Sequence, residues 1–421
     1  LTFLADFGSL CEFDSRLLAM ALVKSRTIGQ RVMREHCRAP GRPTGVSLAM
    51  VLSLALVLQG GCRLVGGLVP KTGSKCGSAP CSPDAGEPID SQDAGRLANA
   101  PGPDAGSAGN TPGVFVSGQE VPSALAIDST NVYWVNLGST YPSKDGQVMM
   151  MPQGGGTPVA LATEQKTPYA ITVDSDNVYW TNQGSLMGDG TIMAVPIAGG
   201  TPTTLASGQG NPTSLAVNST AVYWVNSDSI ALAWAPLHGG TPATLASNGI
   251  IEDTYLNGIA LSADHVYWAD PYHGCVASVP LSGGSVVTLW QQSGWYPDAV
   301  AVDSQNVYWV TGGSPTDNNY NDLVVKMPLA GGAATTLATT DGLPETITVA
   351  NEMVYWFSAP ADTGTNGFLG RVPIGGGAAA TLDMNPLANG TEPPGPSFAV
   401  GNDAIYIVAG YSGQILDLNW N

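Results

Sequence analysis

His238, His265 and His273 fall within the long glycine-rich part of this chain, and each has the chemistry of a base or a metal ligand. A histidine base needs a partner to orient it, and the sequence marks none for any of the three. Only His273, in DPYHG (270–274), lies in a connection that varies in length and content along the chain. His238 and His265 fall in monotonous turns. No G-x-S-x-G, H-E-x-x-H or phosphate loop stands on a suitable element, and Arg371 is the one arginine after residue 110 able to steady an anion. No catalytic residue is nominated.

Recognition chemistry has more candidates. Tyr141, Tyr255, Tyr272, Trp290, Trp295, Tyr296 and Tyr320 offer flat stacking surface for sugars or peptide side chains, with Asp270 and His273 beside them in sequence. The competing reading is that these rings pack over the ends of strands. Asp189, Asp253, Asp317 and Asp322, with Asp270, have the oxygen donors calcium requires, but no EF-hand spacing joins them. Separate solvated carboxylates are the alternative, and no cofactor is expected beyond that calcium. Asp128, Asp174 and Asp303 recur at one place in a repeat, where Asn218, Ser262, Ala350 and Gly401 stand in the other copies. A position open to alanine and glycine points to turn capping rather than ligation.

Composition indicates which elements must hold these groups. Charged residues make up 11% of the 421, against 53 glycines and 31 prolines, a mix that fits short strands joined by many turns. From residue 110 onward four basic residues face 24 acidic ones. Such a surface repels phosphate backbones and anionic headgroups, so nucleic acid is excluded as a partner.

The first 111 residues read as export and tether. Residues 46–58, VSLAMVLSLALVL, form a thirteen-residue apolar run behind Arg34, Arg38 and Arg42, and QGGC follows, ending at Cys62. A basic flank and an apolar run too short to span a bilayer describe a secretory signal within 1–61, whose first 32 residues read as an over-extended start. The Gly-Gly-Cys ending resembles a bacterial lipobox, with Gln59 in place of the usual aliphatic residue. That resemblance implies acylation of Cys62 and attachment to a membrane through the lipid alone. Residues 62–111, rich in Pro, Asp, Ala and Gly, have almost nothing to bury and are expected as a disordered spacer. Within it Cys76 and Cys81 are candidates for a small disulfide.

The remainder, 112–421, repeats one unit. The nine residues DSDNVYWTN (174–182) return as DSTNVYWVN and NSTAVYWVN, and the core aromatic falls at Trp134, Trp180, Trp224, Trp268, Trp309 and Trp356, with Ile407 at the seventh place. Gaps of 41 to 51 residues holding four apolar runs each mark a closed radial array of small antiparallel sheets. In the second unit the strands are expected at 170–174 (a), 177–182 (b), 191–197 (c) and 203–207 (d). The last unit stops after its third strand, and 114–119, VFVSGQ, aligns with TLASGQ (204–209) and supplies the fourth. The expectation is an all-β, seven-bladed propeller closed by its own opening strand, leaving no free edge.

YWTN (179–182), YWAD (267–270) and the following G-x-[IV]-x-x-x-P-[LI]-x-G-G pattern resemble the YWTD propeller repeats of lipoprotein-receptor ectodomains. The chain also looks like bacterial repeat lipoproteins that carry propellers. Seven copies stand where the YWTD family usually has six, and that family's arginines near the third and fourth strands are missing. The resemblance implies the fold and a binding role.

Strand alternation puts a–b and c–d turns on one rim and b–c and d–a connections on the other. The second rim is the diverse one, and diverse loops on a rigid scaffold are where recognition is expected. A monomeric binding or scaffold propeller follows, taking a protein, peptide or glycan on that rim. It would be exported as an outer-membrane or cell-surface lipoprotein, or else be periplasmic or extracellular. The alternative is a lyase or hydrolase acting at the channel mouth.

Overall fold

The computed structural model describes residues 112–419, except 140–141, 186–187, 230, 248–257, 313–321, 341, 360–366, 384–396 and 410–411. The expected signal, the tether, Cys62, Cys76 and Cys81 lie outside the described residues. Within them the chain forms seven four-stranded antiparallel sheets and is all-β. It is a seven-bladed β-propeller, and the inner strands of successive blades contact one another around the ring.

Strand b explains why the repeat is written as it is. The six tryptophans at its centre are at most 1% exposed, and the preceding valines (Val132, Val178, Val222, Val266, Val307 and Val354) are fully buried. In each pair the valine and tryptophan pack towards the preceding blade while the intervening tyrosine packs towards the next. Val178 and Trp180 thus share a cluster with Tyr133 and Val148 of blade 1. A buried tryptophan removes roughly 150–250 Å² from water, about 4–6 kcal/mol as an upper figure. One blade alone would expose both faces of that strand, so the stacking of neighbours is what makes each blade stable.

The ring closes as the sequence predicts. Gly113–Val116 pairs antiparallel with Gln414–Leu418, completing a sheet whose other strands are Ile405–Ala409 and Phe398–Val400. Val116 joins Trp134 of blade 1 and Tyr406 and Ile415 of blade 7 in one cluster. The closing strand is shorter than expected: its register shifts between Val114 and Val116, and only the backbone N–H of Gln119, donating to Gly413 at 2.9 Å, carries the pairing further.

Other boundaries shift for local reasons. In blade 2, strand a runs Pro168–Val173, c runs Gly190–Pro196 and d runs Thr203–Gln209, while b is Asn177–Asn182 as expected. Strand a begins earlier because its proline pairs across a bulge: Pro168 opposes Asn182, and the register slips before Ile171. Proline has no N–H for the ladder and is tolerated at such a break. The c–d turn uses Gly199 and Gly200 at φ of 83° and 143°, conformations other residues rarely adopt.

Asp128, Asp174 and Asp303 are the turn caps their pattern indicated. Asp128 Oδ1 accepts the N–H groups of Thr130 and Asn131 at 2.6 and 2.7 Å, and Oδ2 accepts the Tyr133 hydroxyl at 2.6 Å. Burial opposes ionisation of Asp128 and Asp303, but the tyrosine hydroxyl and two backbone donors outweigh it and hold both carboxyls below their ordinary 3.8. Burial, and then the facing carboxylate, push the Tyr133 and Tyr308 phenols well above their usual range.

Backbone hydrogen bonds join the connections two by two. Ile197 N–H donates to Asp176 O across the a–b and c–d turns of blade 2, whereas Gly184 N–H donates to Lys166 O between a b–c loop and a d–a connection. The two rims are therefore as assigned from strand alternation.

Candidate functional site

One feature of the diverse rim recurs in three blades. Gln165, at the end of strand d of blade 1 (Val159–Gln165), accepts the Trp180 indole N–H at 3.0 Å and the Asn182 side-chain amide at 3.0 Å. Gln119 does the same for Trp134 and Asn136, and Gln209 for Trp224 and Asn226, each bond being 3.0 Å. The glutamine of one blade thereby latches strand b of the next. Beside each latch the residue before proline is driven to positive φ (Val121 56°, Thr167 54°, Asn211 52°), a strained conformation for β-branched Val121 and Thr167.

The other four blades lack the latch, with Asp270, Thr311, Ser358 and Ala409 in place of its asparagine, and two of them flank the gathered variable connections. Strand d of blade 3 is followed by Asn248 and Gly249 rather than glutamine, and Asp270 replaces the asparagine of strand b in blade 4. Between blades 4 and 5, Trp290 to Pro297 is one residue longer than Ala206 to Pro212, and Trp290 takes the place of the small Ala206. Trp268 and Trp309, both buried, have indole N–H groups without an acceptor among the described residues. Tyr296, before Pro297, does not share the positive φ.

Released from a latch, Asp270 caps its own loop. It is 0% exposed, its Oδ1 accepts the N–H groups of Tyr272 and His273 at 3.1 and 3.0 Å, and Oδ2 faces His273 Nδ1 at 2.7 Å. In the neutral ring a carboxylate at that distance takes the Nδ1–H and leaves Nε2 as a lone-pair acceptor. His273 is 35% exposed, and Tyr272 meets it edge-on with centroids 5.1 Å apart. The partner absent from the sequence reading is thus the carboxylate three residues earlier.

His273 borders a cavity of about 260 Å³ with Tyr272, Gln291, Ser293, Trp295 and Tyr296. The b–c loop of blade 4 forms one wall and the connection from blade 4 to blade 5 the other. Gln292 N–H donates to Gly274 O at 3.0 Å, and Gln291 Nε2 reaches His273 O at 3.4 Å. Gly274 permits this approach: it has φ +63°, and a Cβ there would lie 2.6 Å from Gln292 O and 2.8 Å from Trp295 O. Five of the residues nominated from sequence, Asp270, Tyr272, His273, Trp295 and Tyr296, come together at this cleft.

The others do not. Trp290 is 8% exposed and packs against Trp309 with centroids 5.5 Å apart. It lies in strand d, Val287–Gln291, and fills the core between blades 4 and 5, so it is not a ligand-facing ring. Tyr141, Tyr255, Tyr320, Asp253 and Asp317 lie outside the described residues. Asp189 caps its own loop through Ser185 N–H at 2.6 Å and pairs with Lys166 at 3.7 Å. The Ser185 N–H is the main reason that carboxyl sits below its ordinary value. Asp322 is buried at the start of strand c in blade 5. Among the described residues no group of three or more His, Cys, Asp or Glu is placed to hold a metal ion, and Asp270 has spent its oxygens on its own loop.

No family model and no curated relative matches the chain. Solved structures do resemble it. Virginiamycin B lyase from Staphylococcus aureus aligns at a TM-score of 0.54 with 12% identity, over 74% of this chain and 99% of that one. The WD40 β-propeller domain of Doa1 aligns at 0.52 with 13% identity, over 74% and 98%. The propeller of a nidogen/laminin complex aligns more loosely, at 0.43 with 19% identity over 59% and 94%. One lyase and one WD40 domain at such identities share with this chain the propeller fold, and its function must be argued from its own site.

Proposed function

We propose that this chain is a non-catalytic binding propeller held outside the cytoplasm by a lipid anchor on Cys62, with its ligand on the rim of b–c and d–a connections. The observation that carries the reading is the cleft between blades 4 and 5. There the latch is missing, and exposed Tyr272, Gln291 and Ser293 gather with half-buried His273, Trp295 and Tyr296 on a frame of buried tryptophans. Three blades keep the latch and four lack it, and beside blades 4 and 5 its place is taken by a cleft that carries groups able to bind. The Gly-Gly-Cys ending, the apolar run at 46–58 and the spacer at 62–111 support display at a cell surface or outer membrane.

A second reading, a lyase or hydrolase, is favoured by the Asp270–His273 pair, whose geometry suits a general base. The pair stands over blade 4, and among the described residues no arginine or lysine lines the cleft to receive developing negative charge. The test is a screen of the full chain against glycans, peptides and divalent ions, with Tyr272→Ala as control. Ligand recovered unchanged, and bound at least tenfold more weakly by the variant, is the expected result. Conversion of a bound compound that stops in His273→Ala would replace the binding reading with the enzymatic one.

A further inference from the structure

Resting on the binding reading, we infer that the cleft recognises a neutral saccharide, with His273 Nε2 accepting a hydroxyl proton and Tyr272, Trp295 and Tyr296 offering rings to the sugar's apolar face. Three observations select this class. Among the described residues the lining carries amide, hydroxyl, imidazole and aromatic groups but no lysine, arginine, aspartate or glutamate. An anionic ligand would find no cation there and would approach a domain with 24 acidic and four basic residues. A cationic ligand would find no carboxylate, because Asp270 is 0% exposed and both its oxygens are engaged.

The second observation is the 2.7 Å contact between Asp270 Oδ2 and His273 Nδ1, which in the neutral ring leaves Nε2 as the acceptor. A hydroxyl both donates and accepts, and so suits a site that offers Nε2 as acceptor, the Gln291 amide as both, and the Ser293 and Tyr272 hydroxyls as either. Asp270 is what makes Nε2 the acceptor. In the latched blades the same position holds an asparagine that reaches the neighbouring glutamine instead. The exchange of amide for carboxylate thus turns a structural position into one that positions a ligand contact.

Size is the third. About 260 Å³ lies just under the roughly 300–1,000 Å³ of sites for drug-sized molecules. One sugar ring fits such a space, with the rest of a longer glycan running across the rim.

Saturation-transfer NMR and calorimetry on the full chain would use neutral monosaccharides with α- and β-linked disaccharides. A parallel arm would use a basic peptide, an acidic peptide and a quaternary amine. The expected result is saccharide binding at about millimolar dissociation constant, ordinary for one ring in a shallow site. It should weaken at least tenfold in His273→Ala and in Tyr272→Ala and be restored in part by His273→Gln, which returns an acceptor. Asp270→Asn should weaken binding through the tautomer while the circular dichroism of the fold is retained. If a peptide or the amine binds in a His273-dependent way and no sugar does, the saccharide class is overturned and the binding site stands. If sugars bind with equal strength to wild type and His273→Ala, the assigned contact is wrong. If no probe binds at about 20 mM, both this inference and the reading beneath it are refuted.

Discussion

The latch makes a quantitative prediction, because one substitution should have different costs in two blades. Trp180 and Trp309 are both 0% exposed at the same place in the repeat. Trp180 donates its indole N–H to Gln165 at 3.0 Å, whereas the Trp309 N–H has no acceptor. Trp→Phe removes about the same ring area at either site, so the packing loss largely cancels in the difference. At Trp180 a buried hydrogen bond worth about 0.5–1.5 kcal/mol is lost; at Trp309 an unpaired donor, itself costing about 1–3 kcal/mol, is removed. Against this, Trp309→Phe also gives up part of its ring contact with Trp290, about 0.5–1.5 kcal/mol. Trp180→Phe should therefore be more destabilising than Trp309→Phe by about 1–3 kcal/mol, read from urea unfolding with m unchanged. Gln165→Met, which fills the space without an acceptor, should cost about 2–4 kcal/mol and be less than additive with Trp180→Phe. Equal costs for the two tryptophans, or full additivity of the Gln165 and Trp180 changes, would refute the latch as an energetic device.

Three further outcomes are expected. Deleting residues 112–119 removes the closing strand and the Gln119 latch together, so the urea midpoint should fall steeply and the bared edge of Gln414–Leu418 should promote self-association; a monomer with unaltered midpoint would contradict closure. The Asp128 and Asp303 carboxyls titrate lower in the folded chain than in the unfolded one, so their stabilisation is complete above the ordinary 3.8 and disappears as pH drops through the folded values. The Asp128→Asn, Asp303→Asn double variant should show a flatter stability profile than wild type between about pH 5 and 2, and parallel profiles would reject that assignment. Cys62→Ser should release the chain from membrane fractions, and unchanged retention would reject the lipid anchor.

Much of the fold was legible because the repeat is itself a record of burial. Val, Tyr and Trp alternate at one place in six units, and the structure buries all three residue types there. The offset of VFVSGQ against a final unit lacking its fourth strand announced the closure. The site was legible only in part. In sequence Tyr272, His273, Trp295 and Tyr296 are members of variable loops, and nothing there shows that these loops meet. Trp290 was misplaced because strand d runs on to Gln291, which sequence alone did not show. The glutamines at 119, 165 and 209 were visible in the sequence, but their meaning needed the distance to an indole in the next blade.

The sequence by itself determined the number of blades, the manner of closure and the division of connections between two rims, because those follow from a period of about forty-four residues and the alternation of antiparallel strands. Tertiary structure decided which residues meet. Gln165 and Trp180, fifteen positions apart, belong to different sheets, and Asp270 turns to His273 where Asn182 reaches the glutamine of the preceding blade. Contacts between blades depend on how the sheets stack around the axis, and no local pattern encodes that stacking.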